Sequence, residues 1–183
     1  HLARLDAVST TAYPLDADAN WRPCLATIRE APDHVRAVMV VHPNNPTGSY
    51  IEPDEARELA EICRQRGWAL IADEVFLPYP LDGGNGRDFS FSIIDRCLTF
   101  TLGGLSKSVG LPQLKLAWIT ANGPEAEVAH AIEGLEFAAD AYLSVSTPIA
   151  LAAGEVLRAG AGVRAAILER CRLNLESVRR LVE

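Results

Sequence analysis

Apolar residues in this chain follow two rhythms that take turns along its length. Arg36 to His42 (RAVMVVH) and Trp68 to Ala72 (WALIA) are runs of β-forming residues without strict alternation, the pattern of strands covered on both faces. Between them, Pro53 to Arg66 sets Ala56, Leu59, Ala60 and Cys63 at i, i+3, i+4 and i+7, on one face of a helix. Pro53 suits the first turn of that helix and Gly67 its stop. Two more strands are expected at Arg96 to Leu102 and Leu114 to Thr120, after a Gly- and Pro-rich loop over Pro78 to Gly86. Helical periodicity marks Pro23 to Ala31, Gly123 to Asp140, Pro148 to Arg158 and Gly162 to Glu183. At the start, His1 to Asp6 reads as the tail of a helix and Ala7 to Tyr13 as a strand ending in the Pro14 turn. Strands that alternate with helices predict an α/β fold with a doubly wound, mostly parallel sheet, which holds ligands beyond the carboxyl ends of its strands.

Composition narrows the function. A chain of 183 residues, 49% of them apolar, supports one domain with a real core. A net charge of -7 with acids and bases interspersed offers no basic face for nucleic acid and no cationic helix for a membrane surface. Small-molecule chemistry is the remaining default. Cys24, Cys63, Cys97 and Cys171 stand far apart without a C-x-x-C pair, so they read as idle or buried thiols of a reducing cytoplasm rather than as a zinc or redox motif. No apolar run reaches membrane-spanning length and no leader pattern opens the chain. It begins at His1 and its only methionine is Met39, which leads us to expect a processed chain or part of a longer one. Of 17 Lys and Arg residues only two, Lys107 and Lys115, are lysine. A protein that decorates its surface with arginine has not used these two as generic charge.

Three turns directly follow predicted strands: Asn45-Pro46-Thr47-Gly48 after the first, Asp73-Glu74-Val75-Phe76 after the second, and Gly103 to Gln113 (GGLSKSVGLPQ) after the third. Each has a plain structural reading as a turn, a cap or a solvated loop. Taken in order, VVHPNNPTG, LIADEVF and LSKSVGLPQLKLAWI, with a separation of 73 − 45 = 28, resemble the fold-type I aminotransferases of class I and II along almost the whole chain. That family uses pyridoxal 5'-phosphate. The resemblance implies a three-layer sheet with one antiparallel strand, the central part of the family's large domain, over residues 1–158. Residues 159–183 would then begin the long helix leading to a small domain. It also implies amino-acid and 2-oxo-acid substrates, a homodimer and a cytoplasmic enzyme. Upstream and downstream parts of such proteins supply a ring-stacking aromatic and an arginine for the substrate carboxylate. We therefore expect this chain alone to be inactive.

Residue by residue, the resemblance makes Lys107 the amine that carries the cofactor, Asn45 a donor to its phenolic oxygen, and Asp73 the partner of its protonated ring nitrogen. Lys115, eight positions after Lys107, and Ser106 would bind its phosphate, with Ser106 and the Gly103-Gly104 backbone offsetting a Ser or Thr that many relatives carry at position 104. The residue types make chemical sense independently. Condensation with an aldehyde needs a primary amine, so arginine cannot serve at 107, and a carboxylate beside a ring nitrogen holds its proton on. The Asn45-Pro46 bond is of the kind that can be cis. Phe76 stands where relatives usually have a Tyr, which leaves the phenolic oxygen one donor short, and Tyr79 is offset from that role. Tyr142, Ser144, Ser146 and Thr147 fall where similar proteins approach a neighbouring subunit, although a helix cap ahead of Pro148 explains Ser146 or Thr147 equally well. Two other functions stay open: a carbon–sulfur β-lyase on the same residues, and the aminotransferase-like sensor domain of a transcriptional regulator. GGLSKS misses a phosphate-binding P-loop because Ser106 stands where that loop requires Gly.

Overall fold

A computed structural model describes residues 7–81, 89–142 and 145–182. Its central feature is a four-stranded sheet made of β3 (Ala37–Val41), β4 (Ala69–Asp73), β5 (Thr99–Gly104) and β6 (Ala117–Asn122), in that spatial order. The pairs β3·β4 and β4·β5 are parallel and β5·β6 is antiparallel. This is the expected α/β chain with a mostly parallel sheet and one antiparallel strand. Because three parallel neighbours run the same way, their carboxyl ends share one edge of the sheet. The backbone bonds His42 N–H to Asp73 C=O at 2.8 Å and Glu74 N–H to Leu102 C=O at 3.2 Å carry the pairing right up to that edge.

The helix that covers the sheet is well specified by its sequence. α2 (Pro53–Arg66) follows the shorter α1 (Leu25–Arg29) and begins with a reciprocal capping box between Glu52 and Glu55, in which the Glu52 N–H donates to Glu55 Oε2 at 2.9 Å. It ends where Gly67 turns left-handed at φ 64°, a conformation that costs glycine nothing. Its Ala56, Leu59, Ala60 and Cys63 are fully buried against Val38, Val40, Leu70 and Ala72 of the sheet.

Three expectations need correction. Ala7 to Tyr13 is not a strand. Residues 7–14 form no ladder, and the first pairing is the two-residue antiparallel match of β1 (Leu15–Asp16) with β2 (Arg22–Pro23). A strand exists only where its backbone groups find a partner, and this segment touches the β3 edge through one side chain, Tyr13, whose hydroxyl donates to Met39 C=O at 3.0 Å. Second, β3 is not covered on both faces: Val38 and Val40 are buried, but Met39 between them is 58% exposed. Third, the last two strands each begin three residues later than expected, at Thr99 and Ala117. Pro112–Leu114 form a 3-10 turn and Lys115 closes it in the left-handed region, so the strand after it cannot start before Leu116. The proposed helix tail at His1 to Asp6 lies outside the described residues.

Three helices complete the chain, α4 (Glu125–Ala141), α5 (Thr147–Ala159) and α6 (Ala161–Val182), preceded by the four-residue α3 (Leu105–Ser108). The α5–α6 corner seats on the turn after α3. A Cβ placed on Gly160 would lie 2.2 Å from Val109 Cγ1, and one on Gly110 would meet Ile167 at 3.5 Å and Val163 at 3.8 Å. These approaches bring α6 to the carboxyl edge of the sheet.

Candidate active site

The strand-end turns meet in one cleft of about 640 Å³. Its wall includes Asn45 and Thr47 after β3, Phe76 and Tyr79 after β4, Ser106 and Lys107 after β5, and Ile167, Cys171 and Leu175 from α6. A cleft of that volume is the size that holds a small cofactor with its substrate.

The first turn is built by Asn44 rather than Asn45. Asn44 donates through Nδ2 to Thr47 Oγ1 at 2.7 Å, and its backbone N–H and C=O bond Ser49 and Gly48, each at 2.8 Å. Gly48 supplies the positive φ, 71°, that closes the loop. Both X-Pro bonds here, His42-Pro43 and Asn45-Pro46, are cis. Behind the turn sits His42, 1% exposed. Its Nδ1 accepts the Ile51 N–H at 3.2 Å and its Nε2 lies 3.1 Å from Phe89 C=O, so the neutral ring with hydrogen on Nε2 satisfies both neighbours. Tyr50, Phe89 and Phe91 surround it edge-on with ring centroids 5.3, 6.0 and 5.3 Å away. Burial lowers the pKa of His42, and the Phe89 carbonyl and the Glu52 charge only partly oppose that.

The second turn leaves β4 at Asp73, whose Oδ1 accepts the Val75 N–H at 3.1 Å. Glu74 points the other way, accepting from Ser90 Oγ at 2.7 Å and from Phe91 N–H at 2.6 Å. It ties the strand end to the segment that buries Phe91. Burial raises the pKa of Glu74 despite those two donors.

The third turn places Lys107 on α3. Gly103 and Gly104 end β5 because its antiparallel neighbour β6 crowds them. A Cβ on Gly103 would fall 2.4 Å from the Trp118 indole nitrogen, and one on Gly104 3.3 Å from Ala117 Cβ. The missing Ser or Thr at 104 therefore has a packing reason. Ser108 donates to Gly104 C=O at 2.8 Å and Leu105 N–H to Leu116 C=O at 3.0 Å, which fasten α3 at both ends. Lys107 is exposed at the cleft, with Nζ 5.6 Å from the centroid of the Phe76 ring.

The structure thus gathers Asn45, Phe76, Ser106 and Lys107 around one cleft. Asp73 and Lys115 are not part of it: Asp73 is half-buried at the strand end, and Lys115 is exposed beyond the 3-10 turn. Ser144 lies outside the described residues. Sequence reasoning missed His42 and the α6 face, and it weighed Tyr79 only as a stand-in for the Tyr replaced by Phe76, whereas the structure puts its hydroxyl on Lys107 C=O. His42 left a readable signal, a polar residue closing an apolar strand. The α6 residues left none, since Ile167 joins Lys107 only through tertiary packing. Among the described residues no group of three or more His, Cys, Asp and Glu is arranged to hold a metal ion, and no helix is long and apolar enough to cross a membrane.

Comparison with known proteins settles the family. The family model described as "Aminotransferase class I and II" matches residues 2–183. The chain belongs to this family. Members of the class I and II aminotransferases use pyridoxal phosphate. The glutamate-pyruvate aminotransferase AlaA of Haemophilus influenzae is 32% identical over 138 residues, 75% of this chain and 34% of that protein. An alanine aminotransferase structure from Pyrococcus furiosus superposes with a TM-score of 0.79 at 22% identity, covering 99% of this chain and 45% of that one. An Escherichia coli aminotransferase structure gives 0.73 at 28% identity, covering 87% and 38%. The chain spans about a third of the length of the curated relatives it matches.

Tested against this cleft, the family's cofactor fits the donor set of its wall. A primary amine, a carboxamide, a hydroxyl and an aromatic face converge there from three strand ends, around a volume suited to the cofactor.

Proposed function

We propose that the whole protein is a pyridoxal-phosphate-dependent aminotransferase that moves an amino group between an amino acid and a 2-oxo acid. The observation that carries this is Lys107: one of two lysines in the chain, presented by α3 to the same cleft wall as Asn45. When bound, pyridoxal phosphate supplies an aldehyde for a primary amine and a ring that draws electrons from the substrate Cα. Lys107 would be the amine that carries the group and, when free, the base that would move the proton of the substrate Cα. Asn45 donates its amide to the phenolic oxygen. Asp73, which ends β4 outside the cleft lining with Oδ1 on the Val75 N–H, would be the carboxylate that keeps the ring nitrogen protonated. Ser106, at the cleft, and Lys115, outside its lining, would hold the phosphate, and Phe76 presents a ring face 5.6 Å from the Lys107 amine instead of a Tyr hydroxyl.

The names of the relatives make alanine, glutamate and pyruvate the first substrates to assay. Residues 1–158 are read as part of the large domain and 159–183 as the start of the interdomain helix. A cytoplasmic homodimer completes the proposal. Borohydride reduction of the holo-protein followed by peptide mapping tests it: label on Lys107 supports the assignment, and label elsewhere refutes it. Keto-acid-dependent amino transfer supports the aminotransferase, while release of ammonia and pyruvate instead identifies the β-lyase. Turnover by residues 1–183 alone would refute our expectation that this stretch is inactive by itself.

A further inference from the structure

Lys107 sits on a helix too short to hold itself. α3 has four residues, and its end is closed on Leu105 C=O, which accepts the Val109 N–H at 3.3 Å and the Leu111 N–H at 3.1 Å. The last carbonyls of a helix lack partners within it, and Lys107 C=O is one of these. The Tyr79 hydroxyl donates to that carbonyl. Nothing in the family motifs points to this contact, since Tyr79 lies six residues past Asp73.

The same turn also reaches the other end of the lysine. The Phe76 ring lies under Nζ at 5.6 Å, and the Tyr79 N–H bonds to Phe76 C=O at 3.0 Å, so one hydrogen-bonded turn carries both rings. That turn is anchored on both sides. Glu74 ties its start to Ser90 and Phe91, and Arg172 of α6 donates to Pro80 C=O at 2.8 Å just past its end. Burial raises the pKa of Tyr79, opposed by the nearby Arg164 charge, so the hydroxyl remains a donor at neutral pH.

We propose that the Phe76–Tyr79 turn is a positioning clamp for Lys107, in which the Tyr79 hydroxyl fixes the lysine backbone and the Phe76 face holds its amine. Tyr79 is a positioning residue: it acts through Lys107 and not on substrate. The inference rests on the reading of Lys107 as the cofactor-bearing lysine. A lysine side chain has many rotamers, so where its amine spends time depends first on how firmly its Cα is held. Reaction rates respond steeply to such placement.

The test uses the whole protein stripped of cofactor. Pyridoxal phosphate is added, its capture is followed by the change in absorbance, and samples quenched with borohydride are mapped. Tyr79→Phe is expected to slow capture about three- to tenfold, the range set by one neutral hydrogen bond, with the label still on Lys107 and the thermal midpoint little changed. Capture at the wild-type rate, with the label on Lys107, overturns the clamp alone. Label on another residue in the wild type overturns the reading of Lys107 and the clamp with it. If Tyr79→Phe does not fold, 3-fluorotyrosine at position 79 decides. It keeps the hydroxyl and strengthens its donation, so a preserved or faster capture supports the clamp and a slower one overturns it.

Discussion

His42 lies behind the turn that carries Asn45, and His42→Phe measures what its two hydrogen bonds contribute to the fold. Phenylalanine keeps a ring among Tyr50, Phe89 and Phe91 but can neither accept from the Ile51 N–H nor donate to Phe89 C=O. The Ile51 bond is buried, so its N–H is left without a partner or water, which costs about 1–3 kcal/mol. The Phe89 carbonyl loses a neutral hydrogen bond worth about 0.5–1.5 kcal/mol. Together the loss is about 2–4 kcal/mol, a large share of the roughly 5–15 kcal/mol that holds a typical domain. With a urea m-value near 2 kcal/mol/M, the unfolding midpoint at pH 8 should fall by about 1–2 M with m unchanged. A shift below about 0.3 M would refute the two-bond account.

The pH dependence gives an independent check. Burial depresses the folded pKa of His42, so the unfolded chain takes up a proton that the native state refuses. Stability is then full above the unfolded histidine pKa of about 6.5 and falls as pH drops below it, by up to about 1.4 kcal/mol per pH unit. The phenylalanine variant has no such proton. The gap between the two proteins should therefore narrow from pH 8 to pH 5, and a gap that widens would show that His42 is protonated in the native state.

Other side chains give sharper single outcomes. Glu74→Gln should be neutral or stabilising near pH 7, because the amide still accepts from Phe91 N–H, can donate to Ser90 Oγ, and carries no buried charge; Glu74→Ala should cost about 2–4 kcal/mol in denaturant unfolding. The folded pKa of Glu74 is raised, so the wild type should lose stability relative to the Gln variant as pH climbs above the ordinary carboxylate range, and gain none. Gly123→Ala should destabilise by about 3 kcal/mol or more, since its φ is 137° and the new Cβ would lie 2.6 Å from the Cys97 carbonyl oxygen; Gly134→Ala, in open space on α4, should stabilise by about 0.5–1 kcal/mol on thermal melting. A thiol reagent should label exposed Cys171 first and buried Cys63 and Cys97 only on unfolding, and saturating pyridoxal phosphate should protect Cys171 because that residue lines the cleft.

The contrast between α2 and residues 7–14 shows what was legible in the chain. Pro53–Arg66 carries its own start, face and stop, and the helix forms over those residues with its cap residues in place. Ala7 to Tyr13 carries only β propensity, and propensity without a partner edge makes no strand. The site divides the same way. Asn45, Asp73 and Lys107 were readable because all fall at or shortly past strand ends, where a parallel sheet collects its ligand-facing turns; Asn45 and Lys107 line the cleft, while Asp73 ends β4 outside that lining. Tyr79, His42 and Cys171 were not, because their positions depend on contacts 28, 47 and more residues away in sequence. What the local motifs leave unspecified is how firmly each reactive group is held. Lys107 is the clearest case: Ser108 and Leu105 fasten the four-residue α3 that sets the lysine at the cleft, and the Tyr79 hydroxyl, from the turn after the neighbouring strand, adds a hold on the lysine's own carbonyl.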